Sequence, residues 1–560
     1  MNLRKFLLAS AVLAATSAAT WAVPARRAWK SLPLAGGGSV EVTLTGDEWL
    51  HCYVDASQQA YTMDGAGLLH KLSQDELGAK ARKARARAAR QGEARGSQTF
   101  RSLKGDFKTL VVLVNFADET FSPTLHPDGP KATYTAMCNA DDYTNRDGAI
   151  GSVAKYFYDQ SYGDFRVSFD VVGPVTVSQG YGYYGHNTSS ENDANAAQMV
   201  REALALVKDS VDFSLSSPYD WDGDGLAEQV VFVYAGYGEA TGGNANTIWP
   251  FQYYLRWDAG GMVNFGGISI DNYLVINERV LAEYGTGTFR RTRDVLGGMG
   301  TFCHEFSHSL GLMDHYDTLY DRKGYSNYGM GTWDLMDYGS YGGPDSNGWV
   351  PVSMTAYERM YLGWLEPAEL GDNPVDVTAM RPLKDQRDAY IIYNGAHPDE
   401  YFLMENKDMT GWDSYLPTTG LLVTHVDYNR TAWEQNTVNS LSPERVTIVP
   451  ADGLRNDYSE RGDTWPQTGA DSLGQDQFGL HNAGPGGRYW LECVVRDIRL
   501  GRDGTVAFKY VPPATATSVS AIRHAATPDG RHARYNLSGQ RVDGDYRGIV
   551  ISGGRKFVQK

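Results

Sequence analysis

Residues Thr301–Asp317 read TFCHEFSHSLGLMDHYD, and this stretch decides the fold. It contains His304-Glu305-Phe306-Ser307-His308. Two histidines at i and i+4 share one face of a helix, so both imidazoles can reach one metal ion. Zinc suits two neutral imidazoles plus an oxygen ligand, with a fourth position left open for chemistry. Glu305, beside the first histidine, is the predicted general base. Gly311 is placed to end the helix in a left-handed conformation. The chain then turns back, and the residue three further on, Asp314, is the predicted third zinc ligand. His315 is the rival one position later, and Asp317 is a third candidate. Cys303 points about 100° away from His304 around the helix and is expected to pack.

Trp333-Asp334-Leu335-Met336-Asp337-Tyr338-Gly339-Ser340 follows downstream. In metzincin-type zinc proteases a Met-containing turn lies beneath the metal, and Met336 has the spacing for that floor. Tyr338, two residues later, is the predicted donor to a developing oxyanion. The alternative for both is ordinary core packing.

Working outward, Lys108–Phe116 and Glu228–Ala235 read as apolar, buried strands, and Phe165–Val177 as extended. Ser152–Tyr162 has helical spacing. Asp193–Val207 is an amphipathic helix with Met199, Val200, Leu204 and Val207 on one stripe. Asp220, Asp222 and Asp224 occupy positions 1, 3 and 5 of a calcium loop, with Gly225 at position 6 and Glu228 at position 9. Position 12 is Val231, so the reading is a calcium site without an EF-hand.

The chain resembles the immune-inhibitor-A-like secreted metalloproteases, in the form found in Bacteroidetes-type bacteria. The resemblance runs over roughly 105–510. It rests on SVAKYFYDQSYG (152–163), YDWDGDG (219–225), TIWP (247–250), HEFSHSLGL (304–312), WDLMDYGSY (333–341), YERMYLGWL (357–365), EYFLMEN (400–406) and GWDSYLPTTGLLVTHVD (411–427). It implies a zincin catalytic domain, zinc, bound calcium, an N-terminal pro-segment and a C-terminal β-rich region. His304, Glu305 and His308 carry over directly. The family's third ligand is His or Asp in different branches, and Asp314 stands there. Ser307 and Met313 stand where a Gly and a Pro are common in the family; both are tolerable, and Met313 leaves the turn after the helix less rigid.

The ends of the chain read differently from its body. Arg4 and Lys5, the apolar run Phe6–Val23 and the small residues before Pro24 form a secretory signal, with cleavage expected after Ala22. Residues 78–95 (GAKARKARARAARQGEAR) form a basic, protease-accessible linker that separates a pro-segment from a catalytic body. Such a segment would silence the enzyme by running through its cleft. The expected organisation is a signal over 1–22, a pro-segment with basic linker over 23–104 and a zincin domain over 105–370. A β-sandwich-like domain follows over 371–511, then a linker and small β tail over 512–560 as a sorting or attachment element. The fold class is therefore α+β. Four cysteines, Cys52, Cys138, Cys303 and Cys493, are too few for a disulfide framework in 560 residues, though one or two bridges fit.

Charge narrows the partners. Residues 1–110 carry a net +7 and the remainder −23, for −16 overall. An acidic body lacks the basic footprint that nucleic acid requires. Beyond the N-terminal run, no segment has the apolar length of a membrane span, so the mature form is expected to have no integral span. The expectation is a secreted or cell-surface zinc endopeptidase acting on proteins or peptides. Its rivals are an exported adhesion protein on an idle zincin fold and a zinc hydrolase of cell-wall amides. Substrate preference and oligomeric state are not written in the sequence.

Overall fold

In the computed structural model, residues 25–513 are described except 26–28, 47–49, 74, 78–79, 81–102, 189–191, 242, 285–290, 319–326 and 457. Parts of 534–559 are described as well. The expected signal at 1–22, nearly all of the basic linker and most of the C-terminal tail lie outside the described residues.

The body of the chain is built on a six-stranded sheet. Its order is Phe251–Tyr254, Asn272–Tyr284, Val230–Tyr237, Gly105–Asn115 and Phe165–Thr176, with Arg291–Leu296 also pairing Asn272–Tyr284. Asn272–Tyr284, Val230–Tyr237, Gly105–Asn115 and Phe165–Thr176 pair in parallel, whereas Phe251–Tyr254 and Arg291–Leu296 each pair antiparallel with Asn272–Tyr284. A central strand reading LVVLVN is continuously apolar because it is covered on both faces. Val111 and Leu113 enter one core with the helices Pro130–Asn139, Val153–Gln160 and Met299–Ser309. Leu110, Val112 and Val114 enter the other with the helix Ala196–Val207, whose Met199, Val200, Leu204 and Val207 are all buried.

Residues beyond 365 form two further sheets. One has the order Ala368–Glu369, Ala389–Tyr393, Glu400–Lys407, Gly420–Asp427, Val446–Ile448; the other Val375–Met380, Val506–Val511, Val494–Leu500. Phe402, Met404, Leu421 and Val423 share a core with Val377, Val495 and Phe508 of the smaller sheet. From the opposite face of the larger sheet, Tyr401, Leu403 and Leu422 pack with Met313, Trp333, Val352 and Tyr357. The β-rich region is thus bonded on one side to the segment that follows the active helix.

The N-terminal segment folds as a five-stranded sheet over 30–71. Ala25 and Leu44 join the core on the sheet face opposite the helix Met299–Ser309, and Tyr53 packs against it. His51 stacks on Trp249 with centroids 4.4 Å apart, and its Nε2 lies 2.9 Å from Glu239 Oε1. Within the described residues this segment docks on that face of the six-stranded sheet, and does not run along the side that carries the helix Met299–Ser309. All four cysteines are free and buried. Cys52 packs with Leu50, Ala60, Leu72 and Leu77 inside the N-terminal sheet, and burial pushes its thiol up to about 12. Gly548–Ser552 and Arg555–Gln559 pair antiparallel near the C-terminus. Among the described residues, no helix is long and apolar enough to cross a membrane.

Candidate metal centre

The helix Met299–Ser309 carries the whole His304–His308 motif. It ends as its sequence dictates: Gly311 adopts φ 108°, and its N–H bonds the His308 carbonyl at 2.9 Å. That left-handed residue reverses the chain and brings Asp314 back under the helix. Asp314 Oδ1 lies 3.2 Å from His304 Nε2 and 3.4 Å from His308 Nε2, and all three side chains are fully buried.

The imidazole tautomers follow from their other nitrogens. His304 Nδ1 is 2.9 Å from the Leu335 carbonyl, and His308 Nδ1 is 2.9 Å from the Leu312 carbonyl. A carbonyl only accepts, so each Nδ1 carries the proton and each neutral ring turns an Nε2 lone pair toward Asp314. Among the described residues, His304 Nε2 and Asp314 Oδ1 have no hydrogen-bond partner. Acceptor atoms converging in a dry interior repel one another unless a cation sits between them. The donor set, two imidazoles and one carboxylate, fits zinc. Glu305 follows His304 on the helix and is fully buried.

The rival ligands are committed elsewhere. His315 turns its Nδ1 to Asp334, 2.9 Å from Oδ1. Burial would lower the His315 ring, but Asp334 wins and raises it. Asp317 Oδ2 accepts the Asn327 N–H at 3.1 Å. Of the three candidates, the structure brings Asp314 to the histidine pair.

The turn Asp334–Asp337 supports the site from below. Met336 is fully buried in the core shared with Phe302 and Phe306. Leu335 supplies the carbonyl that orients His304, and the Met336 carbonyl accepts the His315 N–H at 2.9 Å. Asp334 bonds both His315 and the Met336 N–H. Tyr338 opens the following helical turn, half-buried, its ring 6.5 Å from that of Tyr341.

The sequence reading did not find the groups that hold this assembly from beyond residue 365. Asn436 bonds Asp314, Asn439 bonds the His315 carbonyl, and Ser440 bonds the Thr318 N–H. Asp463 accepts the Trp333 indole N–H at 2.7 Å. Burial raises Asp463 to about 7 despite that bond. The run Asn436-Thr437-Val438-Asn439-Ser440, amide-rich between two strands, is the one signal that pointed there.

The acidic loop brings Asp220, Asp222 and Asp224 together, with ligand atoms within 4.8 Å of one another. Asp220 already accepts the N–H groups of Gly223, Asp224 and Gly225. Glu228 lies outside that cluster and takes the Trp221 N–H at 2.6 Å. Burial first, then Asp222 and Asp220, push Glu228 up to about 8. A third cluster joins Glu400, His425 and His481. Glu400 accepts from the His425 ring, the His481 and Asn482 N–H groups and the amides of Asn394 and Asn482. Those bonds saturate its oxygens, so it acts as a clamp on the 481–482 loop.

Residues 91–365 match the family described as "Immune inhibitor A peptidase M6, catalytic domain". This part of the chain is similar to the catalytic domain of the immune inhibitor A peptidases. The chain is also similar to the pre-pro-metalloprotease PrtV of Vibrio cholerae serotype O1, 26% identical over 305 residues. That match covers 48% of this chain and 32% of the relative. Immune inhibitor A of Bacillus thuringiensis subsp. alesti is 25% identical over 286 residues, covering 46% of this chain and 39% of the relative. The chain therefore matches between about a third and two-fifths of the length of these relatives. The matched family segment ends before the β-rich region and before Asn436.

Proposed function

We propose that this chain is a secreted zinc endopeptidase made as a precursor. The observation that carries the reading is the convergence of His304 Nε2, His308 Nε2 and Asp314 Oδ1 in a fully buried pocket. The family match over residues 91–365 supports the reaction class. His304, His308 and Asp314 would hold the ion. Zinc, when bound, supplies a Lewis acid that polarises a peptide carbonyl and acidifies water. Glu305 takes the proton from the attacking water and passes it to the departing amine. Tyr338 is proposed to donate a hydrogen bond to the oxygen on which charge develops. The Leu335 carbonyl keeps His304 in register.

Calcium is proposed at Asp220, Asp222 and Asp224, without Glu228, as a brace for the loop ahead of the strand Val230–Tyr237. The substrates are proteins or peptides. Export rests on the charged and apolar N-terminus read in the sequence, and latency on the separable N-terminal sheet and its basic linker.

The test is cleavage of casein or gelatin by the processed protein, with chelator and with zinc restored, alongside peptidoglycan as a competing substrate. Chelator-sensitive proteolysis restored by zinc is expected. Cleavage of peptidoglycan alone would make the enzyme a cell-wall amidase, and no hydrolysis of either substrate would leave a binding protein on a zincin fold.

A further inference from the structure

We propose that Asn436, in the β-rich region, is a positioning residue for the metal ligand Asp314; the proposal rests on the zinc reading of that site. Asn436 ends the turn after the short helix Arg430–Glu434, with φ 48°. Asn tolerates this left-handed conformation better than most residues. Its side chain is fully buried and grips Asp314 twice. Oδ1 accepts the Asp314 backbone N–H at 2.8 Å, and Nδ2 donates to Asp314 Oδ2 at 2.5 Å. Its own carbonyl accepts the Thr318 hydroxyl at 2.8 Å.

The grip divides the carboxylate's labour. Oδ2 is held by the amide, so Oδ1 is the oxygen left facing His304 and His308. A buried carboxylate so fixed cannot rotate to present both oxygens or turn away from the histidines. Partners that orient a ligand in this way carry much of a metal site's affinity. The neighbouring bonds do a different job. Ser440 and Thr318 tie the same two segments together without touching Asp314. They therefore separate anchoring of the loop from orientation of the ligand. Since the matched family segment stops at 365, the inference makes the β-rich region a contributor to the metal site.

The experiment uses the full chain. Metal-free wild type, Asn436→Gly, Ser440→Ala and His304→Ala are compared by zinc competition against a chromophoric chelator, by the visible spectrum of the cobalt form and by urea unfolding without metal. Asn436→Gly keeps the backbone angle and is expected to weaken zinc about 10–100-fold and to change the cobalt band shape. Asn436→Asp keeps the size and the acceptor for the Asp314 N–H, but sets a second carboxylate against Oδ2. It should weaken zinc at least as much, and it decides the matter where the glycine variant does not fold. Ser440→Ala should lower the urea midpoint and leave zinc affinity and the cobalt spectrum unchanged. Zinc affinity in both Asn436 variants equal to wild type overturns the proposal, as does an equal loss in Ser440→Ala. If wild type binds zinc and His304→Ala does not, such a result removes the clamp alone. If wild type takes up no zinc, the metal-site reading fails and the clamp with it.

Discussion

Replacing Asp314 and His315 in turn separates a metal ligand from a structural neighbour one position away. Asp314 lies within 3.2 and 3.4 Å of the two imidazole nitrogens. Loss of a group that merely orients a ligand weakens metal binding 10–100-fold, so loss of the ligand itself should reach at least about 100-fold. With zinc at about 1,000 times the wild-type dissociation constant, binding adds about 4.1 kcal/mol to stability. A 100-fold weaker site under the same conditions adds only about 1.4 kcal/mol. His315→Ala acts on the fold. It removes one half of a fully buried pair with Asp334, a change that costs about 3–5 kcal/mol. Asp334 keeps the Met336 N–H at 2.7 Å, which places the loss near about 3 kcal/mol. The assay is urea unfolding of each variant with zinc and with chelator. Asp314→Ala should lose most of the zinc increment and change little in metal-free stability, because relief of the crowded acceptors offsets the lost bond from Asn436 Nδ2. His315→Ala should lose metal-free stability and keep the increment. The opposite pattern, with the increment abolished in His315→Ala and intact in Asp314→Ala, would show that the turn after Gly311 delivers the wrong residue and would refute the tautomer argument.

Glu305→Ala should retain zinc and lose at least about 100-fold in peptidase rate; near-normal turnover in steady-state assays would remove its role as base. Calcium should raise the melting midpoint of wild type and not of an Asp222→Asn, Asp224→Asn double variant, and equal shifts in differential scanning would argue for a solvated acidic turn. Trypsin cutting within 79–101 should leave the N-terminal sheet associated with the body on gel filtration. His51→Ala, which breaks the Trp249 stack and the Glu239 pair, should release it; co-elution in both would mean that Ala25, Leu44 and Tyr53 suffice to hold it. Glu400 is buried, which opposes ionisation, yet His425 and the surrounding N–H groups hold it at about 2. Its folded value lies below its ordinary 4.5, so its contribution is present above pH 4.5 and is lost as pH falls toward 2. Glu400→Gln should be less stable than wild type at pH 6 and show a shallower loss between pH 4.5 and 3 in urea titrations, and parallel curves would contradict this.

Local chemistry was legible where local chemistry governs. The period of Asp193–Val207 and the apolar run before Phe116 announced a helix and a strand, because burial on one stripe or on two faces leaves that pattern. Asp314 was legible because Gly311 fixes where the helix ends, and three residues is the reach of the reversal. Glu228 was less legible, for the opposite reason. Position 9 of a loop pattern says nothing about whether a side chain will instead satisfy a nearby buried N–H, and Glu228 bonds Trp221. The N-terminal segment was legible as a separable unit, but not in its docking. Which face of a sheet receives it depends on Trp249 and Glu239, some two hundred residues away from His51.

The support of the metal centre is the clearest case of what spacing cannot carry. Asn436 and Asp314 are 122 positions apart, and neither segment contains a pattern that names the other. Their pairing follows from a packing fact: Met313 and Trp333 share a core with Tyr401, Leu403 and Leu422. Once that apolar contact forms, every polar group trapped between the two segments must find a partner. The amide of Asn436, the amide of Asn439 and the hydroxyl of Ser440 meet that demand at Asp314, His315 and Thr318. The same bonds that satisfy a buried interface therefore set the direction of the predicted metal ligand. A segment ending at residue 365 would keep His304, Glu305, His308 and Asp314 yet lack the side of the pocket that aims the carboxylate. Excision of the β-rich region should on this argument lower zinc affinity as well as solubility, and only the first of these losses should be reproduced by Asn436→Gly in the full chain.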